Sequence, residues 1–142
     1  MKFEKGLDDI CANCRYDVKF NRENNRSLPL FEEFKSYNSE TWSKIANDKG
    51  FIKQFESYLQ EVNKIEDLAY MINSNKANIN EVKQAFKELF KNKKDELFEI
   101  ILKNNTLKDN LLGKGLTKSE AKNVFGDLIN STDSVLYNFI KF

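Results

Sequence analysis

Residues Ile79 to Asn104 read INEVKQAFKELFKNKKDELFEIILKN and give the clearest structural pattern in the chain. Apolar side chains recur there with a period near 3.6 residues, so they share one side of a helix. They are Ile79, Val82, Phe86, Leu89, Phe90, Leu97, Ile100 and Ile101. Asn78 can cap this helix, and Glu81 can complete a capping box. Because so wide an apolar face must be buried, the stretch predicts a helix packed against other helices.

The same pattern slips between Lys91 and Asp95. Lys93 falls in the apolar stripe, and Phe98 and Leu102 then extend to a new side of the helix. The slip indicates a bend or break, or else a second half that is buried on two sides, and we favour a break.

A second long amphipathic pattern runs from Phe51 to Ile72, with apolar residues at helical spacing. A short polar connection from Asn73 to Ala77 joins it to the stretch at 79–104. Helices joined by so short a loop pack antiparallel, so we predict a long helical hairpin from Phe51 to Asn104.

Shorter helices are expected before the hairpin. Pro29 suits the first turn of a helix that ends near Asn38. Ser39 can cap a further short helix that ends at Gly50. Upstream, apolar residues at helical spacing predict a helix from Phe3 to Val18, followed by a polar loop. A short strand at Val18 to Phe20 is the alternative, although it has no obvious partner.

The C-terminal part is also expected to be helical. Thr106 to Leu112 predicts a short helix closed by Gly113. Thr117 and Glu120 form a capping box ahead of an amphipathic helix. Ser131 or Thr132 can cap a last helix that carries the apolar residues Val135, Leu136, Phe139 and Ile140.

Composition agrees with a helical fold. The 142 residues fit one domain, and one Pro and five Gly leave few helix breakers. Twelve Phe, five Tyr and one Trp predict an aromatic core. We therefore predict an all-α fold, in which residues 1–142 form a single compact bundle of five to seven helices on the central hairpin.

Charge and hydropathy limit the function classes. The net charge of +1 gives no support for non-specific nucleic-acid binding over the whole surface. The opening residues MKFEKGLDD are charged, and the best apolar run, Leu97 to Leu102, is short and contains Glu99. Neither a signal peptide nor a membrane span is expected, and we place the protein in the cytoplasm. Abundant Lys, Asn and Ile are typical of an AT-rich bacterial or phage genome.

The chain contains no histidine. It therefore lacks the usual general base and the commonest metal ligand. Catalytic sites of the Ser-His-Asp and Cys-His types are excluded within the chain. No other catalytic constellation is visible, so we expect a protein that is not an enzyme and that needs no cofactor.

Cys11 and Cys14 form a CxxC motif, for which three interpretations remain. Two thiolates at this spacing can bind zinc, but a four-coordinate site would need ligands from another chain, as in a zinc-bridged homodimer. A redox motif normally follows a strand in a βαβ unit, which is not predicted here. Alternatively, both cysteines are unreactive and buried on an apolar helix face.

All three arginines of the chain lie close together, beside aromatic residues. Arg15, Arg22 and Arg26 enclose Lys19, and Tyr16 is among them. Arginine with aromatic residues can grip phosphates and stack on bases, or it can form a protein-binding hot spot. A solvated loop is the third interpretation, since Asp17 and Glu23 dilute the charge.

The C-terminal segment GLTKSEAKNVFGDLINSTDSVL resembles, locally, the N-terminal helical pair of HU-type DNA-bending proteins. The resemblance covers about a fifth of the chain, and most of the matching positions are apolar. They are Leu116, Thr117, Ala121, Val124, Phe125, Leu128 and Leu136. The β arms that grip DNA in that family have no counterpart. The resemblance implies at most a pair of helices that packs or dimerises.

These observations predict a non-enzymatic protein–protein interaction module, such as a small subunit, an adaptor or an inhibitor of a larger partner. Aromatic and arginine residues are available for a hot-spot surface. The alternatives are a nucleic-acid-binding module that uses Arg15, Tyr16, Lys19, Arg22 and Arg26, and a zinc-bridged homodimer through Cys11 and Cys14.

Overall fold

The structure, a computed structural model, describes residues 18–19 and 30–141, in which helices alternate with the strands of one sheet. The strands are β1 (Val18–Lys19), β2 (Phe31–Lys35), β3 (Leu68–Ile72) and β4 (Ile140–Lys141). The helices are α1 (Ser39–Trp42), α2 (Lys49–Glu61), α3 (Ile79–Asn92), α4 (Lys94–Lys103), α5 (Asn105–Leu111) and α6 (Lys118–Asn130).

The sheet makes the prediction of an all-α fold wrong, and the protein is a mostly helical α/β structure. The strand order is β1-β2-β3-β4. Strands β2, β3 and β4 run parallel, whereas β1 pairs antiparallel with β2 at one edge. The registers place Phe31 beside Leu68 and Tyr70 beside Ile140.

The long helices stand on one face of this sheet. The chain crosses from β2 to β3 and then from β3 to β4 in the same direction, and right-handed crossovers of this kind put both connections on the same side. The ring of Tyr70 in β3 accordingly contacts Phe51 and Phe55 of α2 and Phe86 of α3. We call this helix-covered side the inner face.

An aromatic cluster fills the space between the inner face and the helices. Phe86 lies at its centre, with ring centroids 4.8 Å from Phe139, 5.4 Å from Tyr70 and 5.5 Å from Phe55. Several of these pairs meet edge to face, which is the favoured geometry for aromatic rings. The prediction of an aromatic core is therefore confirmed.

The predicted hairpin is wrong in its first half. Helix α2 ends at Glu61, and Val62 has extended backbone angles, φ −79° and ψ 150°. A 3-10 turn at Ile65–Asp67 leads into β3, whose sequence LAYMI is an uninterrupted apolar run. Such runs are typical of parallel strands that are covered on both faces, and a continuous run also satisfies helical spacing, which explains the wrong prediction.

The predicted helix after Pro29 is also wrong, because residues 31–35 form β2. In FEEFK the apolar residues Phe31 and Phe34 are three apart, as in a helix, yet they lie on opposite faces of the strand. The residue that alternates with Phe31 on the inner face is the charged Glu33, which is buried. Because the buried inner-face residue Glu33 is charged, the sequence of β2 does not show the alternation of apolar and polar residues that is typical of a strand.

The break inside 79–104 is confirmed. Helix α3 ends at Asn92 and α4 begins at Lys94, and the intervening Lys93 leaves helical geometry with φ −118° and ψ 25°. Asn78 caps α3 by accepting a hydrogen bond from Glu81 N at 2.9 Å. The return bond of the predicted capping box runs instead between side chains, from Asn78 Nδ2 to Glu81 Oε1.

The other boundaries are mixed in outcome. The capping box of Thr117 and Glu120 is confirmed at the start of α6. Asn38, rather than Ser39, caps α1, and Gly50 lies inside α2 instead of ending a helix.

The predicted last helix is wrong. A single 3-10 turn at Val135–Tyr137 precedes β4, so no α-helix follows α6 up to residue 141. The helical pair implied by the resemblance to HU-type proteins is therefore not formed.

Candidate functional site

The side of the sheet away from the helices, which we call the outer face, carries five positions fixed by the strand registers: Glu32, Phe34, Ala69, Met71 and Lys141. Side chains alternate between the two faces of a strand, and paired residues share a face. The helices contact the sheet through rings of inner-face residues such as Phe31 and Tyr70. Ala69 is buried, yet it is not part of the hydrophobic core cluster.

The outer face consists of two rows that differ in exposure. The covered row contains Glu32 and Ala69, which pair across β2 and β3. Ala69 is only 3% exposed. The open row contains Phe34, Met71 and Lys141, which pair across β2, β3 and β4. Phe34 is 56% exposed, Met71 is half-buried and Lys141 is exposed.

Phe34 is an unusual surface residue. Of the large apolar side chains between residues 30 and 141, Phe34 and Val135 are the ones that are exposed. Lone exposed apolar residues are ordinary on protein surfaces. Phe34, however, lies beside the apolar Met71 in the open row, whereas Val135 lies in a 3-10 turn before β4. The open row therefore presents an aromatic ring on a flat strand surface.

The charges of the outer face are separated. Partial burial raises the pKa of the Glu32 carboxyl above its ordinary value. Lys141 has no ion-pair partner among residues 30–141 and carries a solvated positive charge at the end of the open row. The open row is thus apolar in its middle and cationic at one end.

A buried polar cluster on the inner face holds β2 against α2. The Tyr58 hydroxyl donates a hydrogen bond to Glu33 Oε2, and Lys35 Nζ lies 3.1 Å from Glu33 Oε1. Burial by itself lowers the pKa of the Lys35 ammonium, but the neighbouring Glu33 carboxylate and Tyr37 outweigh this effect and raise it overall. Since the carboxylate is satisfied by groups of the protein, the cluster has a structural role.

This cluster was missed by sequence reasoning. The only local signal is a Lys two residues after a Glu in a short strand, where both side chains share a face. Tyr58, the third member, lies 25 positions away in the sequence. Its participation depends on the packing of α2 on the sheet.

The predicted site residues lie almost wholly outside the described residues. Cys11, Cys14, Arg15, Tyr16, Arg22 and Arg26 belong to this group, so the metal-binding and basic-segment predictions stay predictions. Lys19 lies in β1, at the register position opposite Phe31. Of the predicted site residues, Lys19 is thus the one that the structure describes, and it lies in the edge strand beside β2.

Two surface grooves lie away from the sheet. One, of about 520 Å³, lies between α1 and the start of α3 and includes Glu81 and Glu88. The other, of about 500 Å³, includes Gln60 and Lys103. Both are open grooves lined mostly by residues with polar side chains, and nothing in either points to a particular ligand.

Residues 18–19 and 30–141 contain no group of three or more metal-ligating side chains. Within these same residues, none of the helices has the length and apolar character needed to cross a bilayer. Lys91, Lys93 and Lys94 lie at the α3–α4 junction, where Lys93 pairs with Glu96 at 3.7 Å on the surface. An exposed pair of this kind contributes little to stability.

No protein-family model, curated protein or solved structure matches this chain.

Proposed function

We propose that this protein is a non-enzymatic protein–protein interaction module that binds a larger partner through the open row of the outer face. The observation that carries the proposal is the 56% exposure of the Phe34 side chain, which lies beside Met71 in the open row. A partner that buries this ring would remove its exposed apolar surface from water.

The chemistry of the open row defines the partner surface. Phe34 and Met71 need an apolar cleft, and aromatic and Met side chains are enriched at the centres of protein interfaces. Lys141 lies at the end of the row and has a solvated charge, so an acidic group at the rim of that cleft would complement it. We therefore propose a protein partner with an apolar cleft and an acidic rim.

The experiment is an affinity capture with three baits from a nuclease-treated cytosolic extract of the source cells. The baits are the wild-type chain, Phe34→Glu, and Val135→Glu as the matched control. Among residues 30–141, Val135 is the other large exposed apolar residue and is 48% exposed, so this control introduces the same charge on another surface. A partner identified by mass spectrometry is then purified and titrated against each bait.

We expect the wild-type chain and Val135→Glu to bind the purified partner with equal affinity. Phe34→Glu should bind at least about 30-fold more weakly, as for the loss of a hot-spot aromatic residue. Equal binding by Phe34→Glu would contradict the proposed surface. A capture in which the wild-type chain retains only nucleic acid before nuclease treatment, and no protein afterwards, would contradict the proposed function.

A further inference from the structure

We infer that the helices α3, α4 and α6 present a binding site for the phosphate backbone of a double-stranded nucleic acid. The site, which we call the basic patch, consists of Lys87, Lys91 and Lys94. It belongs to the helical layer rather than to the outer face of the sheet, so the inference does not depend on the proposed protein partner.

The basic patch follows one face of α6. Residues four apart in a helix are neighbours on the same face. Four positions of α6 have this spacing, and they are Lys118, Lys122, Gly126 and Asn130. The first two form ion pairs with α4, because Lys118 lies 3.3 Å from Glu99 and Lys122 lies 3.4 Å from Asp95. The half of the face nearer the start of α6 is therefore neutralised.

The other half of this face carries lysines without acidic partners. Lys87 Nζ donates a hydrogen bond to the carbonyl oxygen of Asn130 at 3.1 Å. Lys94 Nζ lies against Gly126, where an added Cβ atom would be 3.0 Å from it. Lys91 lies one helical turn after Lys87 on the same side of α3. Three ammonium groups thus lie together near the end of α6.

The charge of the basic patch is not balanced within residues 30–141. None of its three lysines forms an ion pair there. Three acidic residues of α4 are already paired with other lysines, and they are Asp95, Glu96 and Glu99. Glu88, three residues before Lys91, lines the groove between α1 and α3. Asp127 follows Gly126, so it lies about 100° further round α6.

Stability does not explain this arrangement. Like charges one helical turn apart, as at Lys87 and Lys91, repel each other and destabilise a helix. Gly126 lies in the interior of α6, where Gly is less favourable than Ala, and it leaves room for the side chain of Lys94. Local departures from the most stable choice are expected mainly at functional sites. An anion bound between the three ammonium groups would relieve their repulsion.

The chemistry of the basic patch favours the backbone of a duplex. Lysine ammonium groups bind phosphates as point charges. Phe34, the exposed aromatic residue among residues 30–141, lies on the outer face of the sheet, so the patch offers no ring on which an unpaired base could stack. A duplex has about one phosphate per 1.7 Å of its axis, which allows several lysines of one face to contact phosphates at once. Binding should therefore be independent of base sequence.

The test uses the full-length protein and fluorescein-labelled duplexes of mixed sequence, one of DNA and one of RNA. Binding is measured by fluorescence anisotropy between about 50 and 200 mM salt. The variant is Lys91→Gln with Lys94→Gln, which leaves the hydrogen bond of Lys87 in place. The matched control is Lys118→Gln with Lys122→Gln, which removes the same charge from the paired half of the same face. Far-UV circular dichroism reports whether each protein is folded.

We expect the variant at Lys91 and Lys94 to bind at least about tenfold more weakly than the wild-type chain at the lower salt concentration. Its plot of log K against log salt should be shallower by about 2, since each lost phosphate contact removes about one unit of slope. The control should bind within about twofold of the wild-type chain. Gly126→Glu, which favours the helix and places a carboxylate beside Lys94, should weaken binding at least about threefold.

Binding of either duplex with this pattern supports the inference, and the more tightly bound duplex identifies the source of the backbone. Equal losses in the two double variants would overturn it, because they would show an effect of net charge alone. So would a wild-type chain that binds neither duplex at the lower salt concentration, or that binds only phosphatidylserine vesicles.

Discussion

Tyr137 shows how a single residue can link stability to pH. Its side chain is buried, and its hydroxyl donates a hydrogen bond to the carbonyl oxygen of Ile129 at 2.7 Å. Burial raises the pKa of this hydroxyl far above its ordinary value near 10, because the phenolate would lose its hydration. The folded protein therefore keeps this proton at a pH at which the unfolded chain has released it.

The free energy of unfolding should consequently fall above about pH 10, where the unfolded tyrosine ionises and the folded one does not. The contribution of Tyr137 is complete below that pH, and in the window above it declines by up to about 1.4 kcal/mol per pH unit. Tyr137→Phe should show a shallower decline between pH 10 and 11.5 in urea titrations. At pH 7 the variant should lose only about 1 kcal/mol, for the missing hydrogen bond. Parallel pH profiles of the two proteins would contradict this prediction.

Single residues also mark what the sequence could and could not predict. The capping residues Asn78 and Thr117 were predictable, because each acts on backbone groups only three positions away. The burial of Glu33 was not predictable, because the Tyr58 hydroxyl that donates a hydrogen bond to its carboxylate belongs to another element. Interactions within one helical turn can be found in the sequence, whereas those between elements need the fold.

At the scale of elements, Asn104 joins three helices. It follows α4 and caps α5, where its Oδ1 accepts a hydrogen bond from Leu107 N at 3.3 Å. Its Nδ2 donates to the carbonyl oxygens of Leu59 at 2.9 Å and Val62 at 2.7 Å, at the end of α2. One amide side chain thus satisfies both a helix start and a helix end.

We expect Asn104→Asp to be destabilised by about 2–3 kcal/mol, although Asp is an equally good cap. The carboxylate would keep the bond to Leu107 N but would lose both donations and lie against two carbonyl oxygens. Asn38→Asp is the matched control, because Asn38 caps α1 through Thr41 N and its side chain makes no other hydrogen bond among residues 30–141. The control should change stability by less than about 0.5 kcal/mol in urea titrations. Equal losses in the two variants would show that the donations contribute nothing.

The strands are the elements that could not be predicted from the sequence. Helix α3 was predicted because its apolar stripe covers 14 residues, four turns of unambiguous period. The strands β2 and β3 have five residues each, and in so short a window a helix and a buried strand give the same apolar spacing. Only the pairing of β2 with β3, more than 30 positions apart, decides between them.

At the scale of the whole molecule, the packing of the helices on the inner face depends on the ring of Phe86. Phe86 of α3 contacts Trp42 at the end of α1, Tyr70 in β3 and Phe139 before β4. It is fully buried, so its removal leaves a cavity among elements from the whole described fold.

Phe86→Ala should lose about 3–5 kcal/mol of unfolding free energy. That is a large share of the roughly 5–15 kcal/mol that stabilises a typical domain. Trp42 is the only tryptophan of the chain and is buried against Phe86, so its fluorescence during urea unfolding provides the measurement. Val135→Ala, on the surface, should change stability by less than about 0.5 kcal/mol. If Phe86→Ala unfolds completely, Phe86→Leu should give a smaller loss, and a loss no larger than that of Val135→Ala would contradict the central role of the ring.

The separation of Tyr70 from Phe139, whose rings meet at 5.8 Å, has a consequence for protein synthesis. After Tyr70 the ribosome adds 69 residues up to and including Phe139, which takes about 3–14 s at about 5–20 residues per second. During that interval the nascent chain already contains Phe51, Phe55 and Tyr70 but lacks the ring that closes over them. We therefore expect folding to finish only after residue 139 has left the exit tunnel, and the waiting aromatic surface to be a binding site for chaperones.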